Sequence, residues 1–316
     1  MHSRFRAALG PFVLSLGLMA SAAHAADAES CKTVRFSDVG WTDITATTAT
    51  ATVLLKALGY DPQVQVLSVP VTYASLKNKD IDVFLGNWMP TMEADLKPYK
   101  EDGSVTVTGV NLEGAKYTLA VPKYTYEAGL KSFADIAKFK DKLGDKIYGI
   151  EPGNDGNRLI LGMIEKDQFG LKGFELVESS EAGMVSAVAK ATRGKEDIVF
   201  LGWAPHPMNA NFEMEYLSGG DEVFGANFGG ATVYTNTRAG YDKDCPNAGK
   251  FISNLKFTLP MENEIMGAIL NDGKQGEEAA TAWLKANPDV VTPWLAGVTT
   301  LDGGDATAAV KSALGL

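Results

Sequence analysis

A nine-residue pattern that occurs twice constrains the fold of this chain more than any other feature. The copies are residues 82–90 and 197–205, 115 positions apart, and each runs from an acid through β-forming apolar residues to a glycine, a tryptophan and a proline. Short apolar runs of this kind are typical of buried strands, and proline suits the first turn of a helix. Each copy therefore predicts a buried strand, a glycine turn that carries Trp88 or Trp203, and a helix start.

A weaker near-repeat relates residues 36–43 to residues 150–157, each predicted to run from a strand through a glycine turn into a helix. It places Trp41, Asp43 and Asn154 at equivalent strand ends. Ligands of open α/β sheets bind beyond the carboxyl ends of the strands. Two similar halves that face each other there would form a cleft, so the pattern favours a bilobed clamp.

The alternation of β-type and helix-period segments predicts an α/β fold with mostly parallel sheets. The predicted strands are 34–36, 64–69, 81–85, 117–121, 146–150, 174–177 and 198–201, and the predicted helices are 46–58, 133–143, 157–168 and 182–191. The chain after Asn247 is predicted to be mainly helical. A length of about 290 residues after the leader exceeds the usual range for one core, so we expect two lobes.

Residues 1–25 are typical of a secretory signal peptide, with two early arginines, an apolar run over 11–19 and a small-residue site at 23–25. The apolar run is shorter than the roughly 20 residues that a membrane-spanning helix needs, and no later run is long enough. Cys31 follows glutamate and serine rather than the small apolar residues of a lipidation site. We therefore expect a free periplasmic protein that begins near Ala26 and does not insert into the membrane.

Charge and histidine content argue against nucleic-acid binding and catalysis. Without the leader the basic residues fall from 29 to 27 against 39 acids, a net charge of −12, which would repel phosphate backbones. His206 is the one histidine after the leader, so no two-histidine metal site is possible, and nucleophile-elbow, P-loop and dinucleotide motifs are absent. We expect no enzyme activity, cofactor or metal, and a hydrogen-bonding role for His206.

The two cysteines, Cys31 and Cys245, predict a structural disulfide, because their number is even and the expected compartment is oxidising. It would tie the start of the folded chain to a late segment. In the chain-entropy model, closing so long a loop contributes roughly 4 to 5 kcal/mol.

Aromatic residues at the predicted strand ends are candidates for a cation site. Trp41, Trp88 and Trp203 lie in glycine-flanked segments, and Tyr117 lies beside the expected crossing between the lobes. One such residue would be read as ordinary core. Three tryptophans, two of them in a repeated motif, favour a cage for a quaternary ammonium group, which has no N–H to donate and is held by aromatic faces.

Two polar residues beside this cage have alternative interpretations. Asp43 is either a helix N-terminal acid, favoured by roughly 0.3 to 1 kcal/mol, or a carboxylate that offsets a ligand's charge and accepts a hydrogen bond from its hydroxyl. Asn154 is either a turn residue or an amide that binds a ligand hydroxyl.

At these motifs the sequence resembles the substrate-binding proteins of ABC importers for glycine betaine, proline betaine and choline. The resemblance covers essentially the whole chain after the leader, and residues 82–90 and 202–209 are its most specific part. Residues 40–43 and 115–120 bring it closest to the choline-binding branch.

The resemblance implies a type II periplasmic-binding fold, with two lobes joined by two crossing strands. Lobe A is expected to comprise residues 26–111 and 209–316, and lobe B residues 112–208. The crossings are expected near Leu112–Lys116 and near His206–Phe212.

It also implies an inter-lobe aromatic box with two polar residues at the hydroxyl end of the ligand, namely Trp41, Trp88, Tyr117 and Trp203 with Asp43 and Asn154. Since Asp43 would repel the carboxylate of a betaine, choline is preferred over glycine betaine, while acetylcholine and carnitine stay open. We expect a monomer that delivers its ligand to an ABC transporter permease. An exported enzyme acting on a choline ester and a sensor module of the same fold are the alternatives.

Overall fold

The computed structural model describes residues 27–316, so the predicted leader and its end near Ala26 lie outside the described residues. The strands are β1 (Thr33–Asp38), β2 (Asp61–Val66), β3 (Val83–Met89), β4 (Val105–Pro122), β5 (Lys146–Tyr148), β6 (Glu175–Val177), β7 (Phe200–Ala204), β8 (Met214–Tyr216) and β9 (Gly230–Arg238).

Helices occupy most of the remaining described chain. They are α1 (Thr42–Ala57), α2 (Val69–Asn78), α3 (Glu93–Glu101), α4 (Lys123–Glu127), α5 (Phe133–Ile136), α6 (Lys140–Leu143), α7 (Asp155–Glu165), α8 (Glu181–Gly194), α9 (Met208–Asn211), α10 (Asp221–Phe224), α11 (Ala226–Gly229), α12 (Tyr241–Asp244), α13 (Pro246–Asn254), α14 (Leu259–Leu270), α15 (Gly276–Ala286), α16 (Val291–Trp294) and α17 (Ala306–Leu314). None of these helices is long and apolar enough to cross a membrane.

The strands of the described chain form one continuous mixed sheet in the order β2-β1-β3-β9-β4-β7-β5-β6, with β8 paired to β4. In lobe A, β1 is parallel to β2 and β3, and in lobe B, β5 is parallel to β6 and β7. The long strands β4 and β9 are antiparallel to each other and link the two parallel groups. The α/β class expected from the sequence is confirmed, with antiparallel linking strands in the middle.

Strand β4 carries the chain from lobe A to lobe B. Its first part, from Val105 to Lys116, pairs with β9, and its last part pairs with β7, where Tyr117 lies opposite Trp203. Both partners are antiparallel, so one 18-residue strand serves both lobes. The crossing expected near Leu112–Lys116 falls inside this strand.

We propose that the return crossing lies later in the chain than the expected segment near His206–Phe212. After residues His206–Phe212 the chain forms β8, which pairs with the lobe B end of β4 at Ala120–Pro122. It reaches lobe A only along β9, where Ala231 lies opposite Ala115 of β4. We therefore propose β9 as the second crossing, with the segment through α11 belonging to lobe B.

The repeated motif forms strands as predicted, but its glycines are not turns. Gly86 lies inside β3 and Gly202 inside β7, so each strand continues through its tryptophan. A Cβ on Gly86 would lie 2.8 Å from the Ile44 side chain, and one on Gly202 would lie 2.9 Å from Ala120. Close packing across the sheet face, rather than chain reversal, therefore explains these two glycines.

The prolines of the motif do not begin helices. The Met89–Pro90 and Ala204–Pro205 peptide bonds are both cis, and the next helices start later, at Glu93 and Met208. A disulfide joins Cys31, in a 3-10 turn before β1, to Cys245 at the start of α13, with the Cα atoms 5.5 Å apart. It fixes the first described residues to the C-terminal helices of lobe A.

Candidate ligand-binding site

A small cavity lies between the lobes, at the carboxyl ends of the strands. Its lining comes from both lobes and consists of Trp41, Asp43, Trp88, Tyr117, Ile150, Asp155 and Trp203. The space between these side chains, its mouth included, is about 260 Å³. The cavity is therefore of a size for one compact ligand group.

All four aromatic residues named from the sequence line this cavity. Trp41 is the residue before α1, Trp88 is near the end of β3, and Tyr117 of β4 pairs with Trp203 of β7. The Tyr117 ring lies 6.1 Å from the Trp88 ring and 6.3 Å from the Trp203 ring, and both pairs meet edge to face. The site thus brings together rings from both copies of the repeated motif.

Hydrogen bonds hold the polar edges of three of these rings. The Trp41 indole donates to Glu151 at 2.8 Å, and the Trp88 indole donates to Asp43 Oδ2 at 3.1 Å. The Tyr117 hydroxyl donates to Asn154 Oδ1 at 2.8 Å. Since the N–H and O–H groups are already bound by protein, the aromatic faces are what these residues can offer a ligand.

Asp43 is fully buried at the wall of the cavity. Its Oδ2 accepts the Trp88 hydrogen bond, whereas its Oδ1 has no hydrogen-bond partner among the described residues. Burial, together with the nearby charge of Glu181, raises the pKa of this carboxyl to about 8. Asp43 is therefore mostly protonated at neutral pH when no cation is bound.

Asp155, the first residue of α7, is a second buried acid at the cavity wall, and no sequence pattern singles it out. Its Oδ1 accepts from the Asn154 amide at 3.2 Å, and its Oδ2 has no hydrogen-bond partner among residues 27–316. Burial raises its pKa to about 6. Thr91, whose hydroxyl donates to the Trp88 backbone oxygen, lies close enough to lower that pKa in part.

Asn154 does not line the cavity but lies behind Tyr117. Its Oδ1 accepts from the Tyr117 hydroxyl and from the backbone N–H of Asn157, so it is also the N-cap of α7. The structure therefore gives Asn154 the helix-start role and a positioning role for Tyr117. Direct contact of its amide with a ligand hydroxyl stays a prediction.

A buried network also joins the lobes beside the cavity. Glu181, the first residue of α8, accepts from the backbone N–H of Thr42 at 2.8 Å and from the Thr42 hydroxyl at 2.6 Å. His206 Nδ1 accepts from the N–H of Met208, so its Nε2 carries the hydrogen and donates to Glu181 at 3.0 Å. Glu181 of lobe B thus satisfies an N–H group at the start of α1 in lobe A.

A second polar contact crosses the cleft at its rim. The Arg158 guanidinium, on α7, lies 2.7 Å from Asp95 Oδ1 of α3 and donates to the Thr91 backbone oxygen at 3.1 Å. Together with the Trp41–Glu151 bond, these contacts are those of a closed cleft.

Three comparisons with known proteins bear on this site. Residues 32–286 match the OpuAC family model, described as the substrate-binding domain of an ABC-type glycine betaine transport system. The chain is 36% identical over 170 residues to the glycine betaine/carnitine transport binding protein GbuC of Listeria monocytogenes, covering 52% of this chain and 55% of that protein.

Among solved structures, an ABC-transporter choline-binding protein in complex with choline is 68% identical to this chain. It superimposes with a TM-score of 0.90 over 91% of this chain and 100% of that chain. An ABC-transporter choline-binding protein in an unliganded, semi-closed conformation is 69% identical, with a TM-score of 0.84 over the same shares of the two chains. The present structure is thus nearer in conformation to the complex, in agreement with its closed cleft.

Proposed function

Because this chain belongs to the family of substrate-binding domains of ABC-type glycine betaine transport systems, we propose that it binds a quaternary ammonium solute, choline by preference, and delivers it to a membrane permease. The observation that carries the proposal is that Trp41, Trp88, Tyr117 and Trp203 line one cavity between the lobes. Proteins of this family act outside the cytoplasm. We propose the periplasm as the site of action, after removal of residues 1–25.

The chemistry of the cavity suits a methylated cation. A trimethylammonium group cannot donate a hydrogen bond, so it gains little from amide or hydroxyl groups but is attracted to aromatic faces. Each such contact contributes roughly 0.5 to 2 kcal/mol, with the larger values in desolvated sites. Several rings around one nitrogen, with Asp43 at the wall, provide both the contact surface and an acid to balance the charge.

The preference for choline over a betaine follows from the acids. A betaine carries a carboxylate close to its ammonium group, and that carboxylate would approach Asp43. Once the ammonium group has favoured the ionised form of Asp43, the two like charges repel strongly in this buried site. Choline carries a hydroxyl instead, which can donate to a carboxylate or accept from a protonated acid. The 68% identity to a choline-binding protein supports the same choice.

Delivery requires that the permease distinguish the loaded protein from the empty one. A ligand that touches both lobes favours the closed cleft and so shifts the population toward it. We propose that Trp41, Trp88 and Asp43 act from lobe A and Tyr117, Trp203 from lobe B, so that only the closed form completes the cage. The permease would then bind the closed form.

A competition titration tests this function. Tryptophan fluorescence of the purified protein is followed as choline, acetylcholine, glycine betaine, carnitine and proline are added. We expect choline to bind most tightly and proline, which lacks a quaternary nitrogen, to bind least. Proline binding as tightly as choline would contradict the cage. Acetylcholine incubated with the protein should stay intact, and release of acetate would instead favour the exported-enzyme alternative.

A further inference from the structure

Asp155 has the features of an acid that faces the ligand, yet neither the aromatic cage nor Asp43 assigns it a function. It borders the same cavity as the four aromatic rings, its exposed fraction is 0%, and its Oδ2 has no hydrogen-bond partner in the described part of the chain. A buried polar atom without a partner is costly unless something else satisfies it. A cation in the cavity would do so.

The surroundings of the two cavity acids differ in charge. Asp43 faces two other buried acids, Glu181 and Glu262, and among residues 27–316 the main groups that shift its pKa include no basic side chain. For Asp155, Thr91 and the positive charge of Arg158 favour the ionised form, while Asp95 disfavours it more strongly than Arg158 favours it. Asp155 is nevertheless the one of the two acids that has a basic group among the neighbours favouring its ionised form.

The other neighbours of Asp155 do not change this assignment. Glu151, in the loop before α7, repels its charge, and the Tyr117 phenol nearby is neutral, its own pKa well above the usual value because of burial. Asn154 donates a hydrogen bond to it. Burial leaves the pKa of Asp155 at about 6, below neutrality, and that of Asp43 at about 8, above it.

From this placement we propose that Asp155 is a specificity-determining residue, whose carboxylate offsets the ammonium charge of the ligand while Asp43 serves the hydroxyl end. The inference rests on the proposed function and refines it. It divides the two tasks that a single acid was expected to perform between one acid from each lobe. It also strengthens the selection against betaines, because their carboxylate would meet acids on both walls.

The division of tasks is testable with ligands that separate charge from hydroxyl. Tetramethylammonium carries the charge alone, 3,3-dimethylbutan-1-ol carries the hydroxyl on a neutral isostere of choline, and choline carries both. We expect Asp155→Asn to weaken choline and tetramethylammonium by the same factor, about 10- to 100-fold, since opposite charges a few ångströms apart in a desolvated site attract strongly. Binding of the neutral alcohol should not weaken, and glycine betaine should lose less than choline.

Glu93→Gln is the matched control, because Glu93 is an exposed acid in the first turn of α3, outside the cavity. It removes one charge from a helix start and should leave all four affinities unchanged. Each variant is checked by thermal unfolding, and Asp155→Ser provides a second neutral variant if Asp155→Asn does not fold.

The outcomes separate this inference from the proposed function. Wild-type protein that binds no quaternary ammonium compound would refute both. If the wild type binds choline and the choline affinity of Asp155→Asn is within twofold of the wild-type value, only the role of Asp155 is refuted. An equal loss for the neutral alcohol and tetramethylammonium would also overturn it, because the effect would then be one of shape rather than charge.

Discussion

One added methyl group, in Gly156→Ala, should damage the cage without unfolding the protein. A Cβ at Gly156 would collide with the Tyr117 hydroxyl and lie 2.7 Å from Tyr117 Cζ. The Tyr117 ring has little room to retreat, because the rings of Trp88, Trp203 and Phe224 lie 6.1, 6.3 and 6.0 Å from it. The substitution must therefore displace Tyr117 or the start of α7.

The size of the effect can be worked from these contacts. Displacement of Tyr117 breaks its hydrogen bond to Asn154, a net contribution of about 1 kcal/mol to folding stability. It also removes one ring face from the ligand, a loss of about 1 kcal/mol in binding free energy. Choline should therefore bind about 1 kcal/mol more weakly, or roughly fivefold. Alanine is favoured over glycine in a helix by about 0.5 to 1 kcal/mol, which offsets part of the strain on folding.

Gly162→Ala is a matched control in the same helix, because a Cβ at Gly162 would meet nothing within 4 Å. Choline binding by calorimetry and unfolding in urea are measured for both variants. We expect the control to bind choline like the wild type and to be slightly more stable. If Gly156→Ala binds choline as tightly as Gly162→Ala, the position of Tyr117 does not matter and the reasoning fails.

Four further results are expected. Trp88→Ala and Trp203→Ala should each weaken choline binding by on the order of 2 kcal/mol or more in calorimetry, and near-wild-type affinity for both would refute the cage. Asp43→Asn should lower choline affinity more than glycine betaine affinity in paired titrations, and equal losses would count against its selective role. Because burial raises the Asp43 pKa from 3.8 to about 8, the ligand-free native state holds this proton more tightly than the unfolded state, so its contribution to stability is largest below about pH 4 and is lost as the pH rises towards 8. Urea unfolding at pH 5 and pH 8 should therefore show a steeper loss for wild type than for Asp43→Asn, and parallel losses would contradict this. Replacing both Cys31 and Cys245 by serine should lower the free energy of unfolding by up to about 5 kcal/mol with little change in choline affinity, whereas an unchanged urea midpoint would show that the disulfide does not stabilise the fold.

The strands that flank the site were predictable because their apolar runs are long and repeated. The α/β class and the type II fold are confirmed, and β3 and β7 lie where the two copies of the motif predicted them. The prediction that the two motif glycines form turns is wrong, because these glycines are needed for packing against residues that are distant in the sequence. Gly86 is required by Ile44 of α1 and Gly202 by Ala120 of β4, contacts that no sequence period reveals.

The proposed place of the second crossing, β9 rather than His206–Phe212, could not be predicted from the sequence for a similar reason. Strand β8 has only three residues, and their side chains are half-exposed. Its sequence therefore lacks the apolar run that predicts a buried strand. What holds it in lobe B is antiparallel pairing with Ala120–Pro122 of β4 and the hydrogen bond from the Leu217 N–H to the Leu119 oxygen. Pairing partners distant in sequence decide where such a segment belongs.

The aromatic lining of the cavity could be predicted from the sequence, whereas only one of its two acids, Asp43, could. Tryptophan at a strand end is rare enough to attract attention, and cation chemistry gives it a role. Asp155 was not predicted as a site residue, because the near-repeat aligns it with Trp41 and places Asn154 at the strand end. Only the packed structure shows that Asn154 supports Tyr117 while the next residue borders the cavity.

The acids around the cavity give a physical reason for ligand and closure to be coupled. Burial raises the pKa of four acids, namely Asp43, Glu151, Asp155 and Glu262. In addition, Asp43 and Glu262 disfavour each other's ionised forms, and so do Glu151 and Asp155. Closing the empty cleft therefore confines acids that must either stay protonated or repel one another, which costs free energy. A quaternary ammonium ion supplies the missing positive charge, and it does so only where both lobes meet. Cation binding should thus lower these pKa values, release protons and favour the closed cleft in a single step, which a neutral ligand of the same shape cannot do.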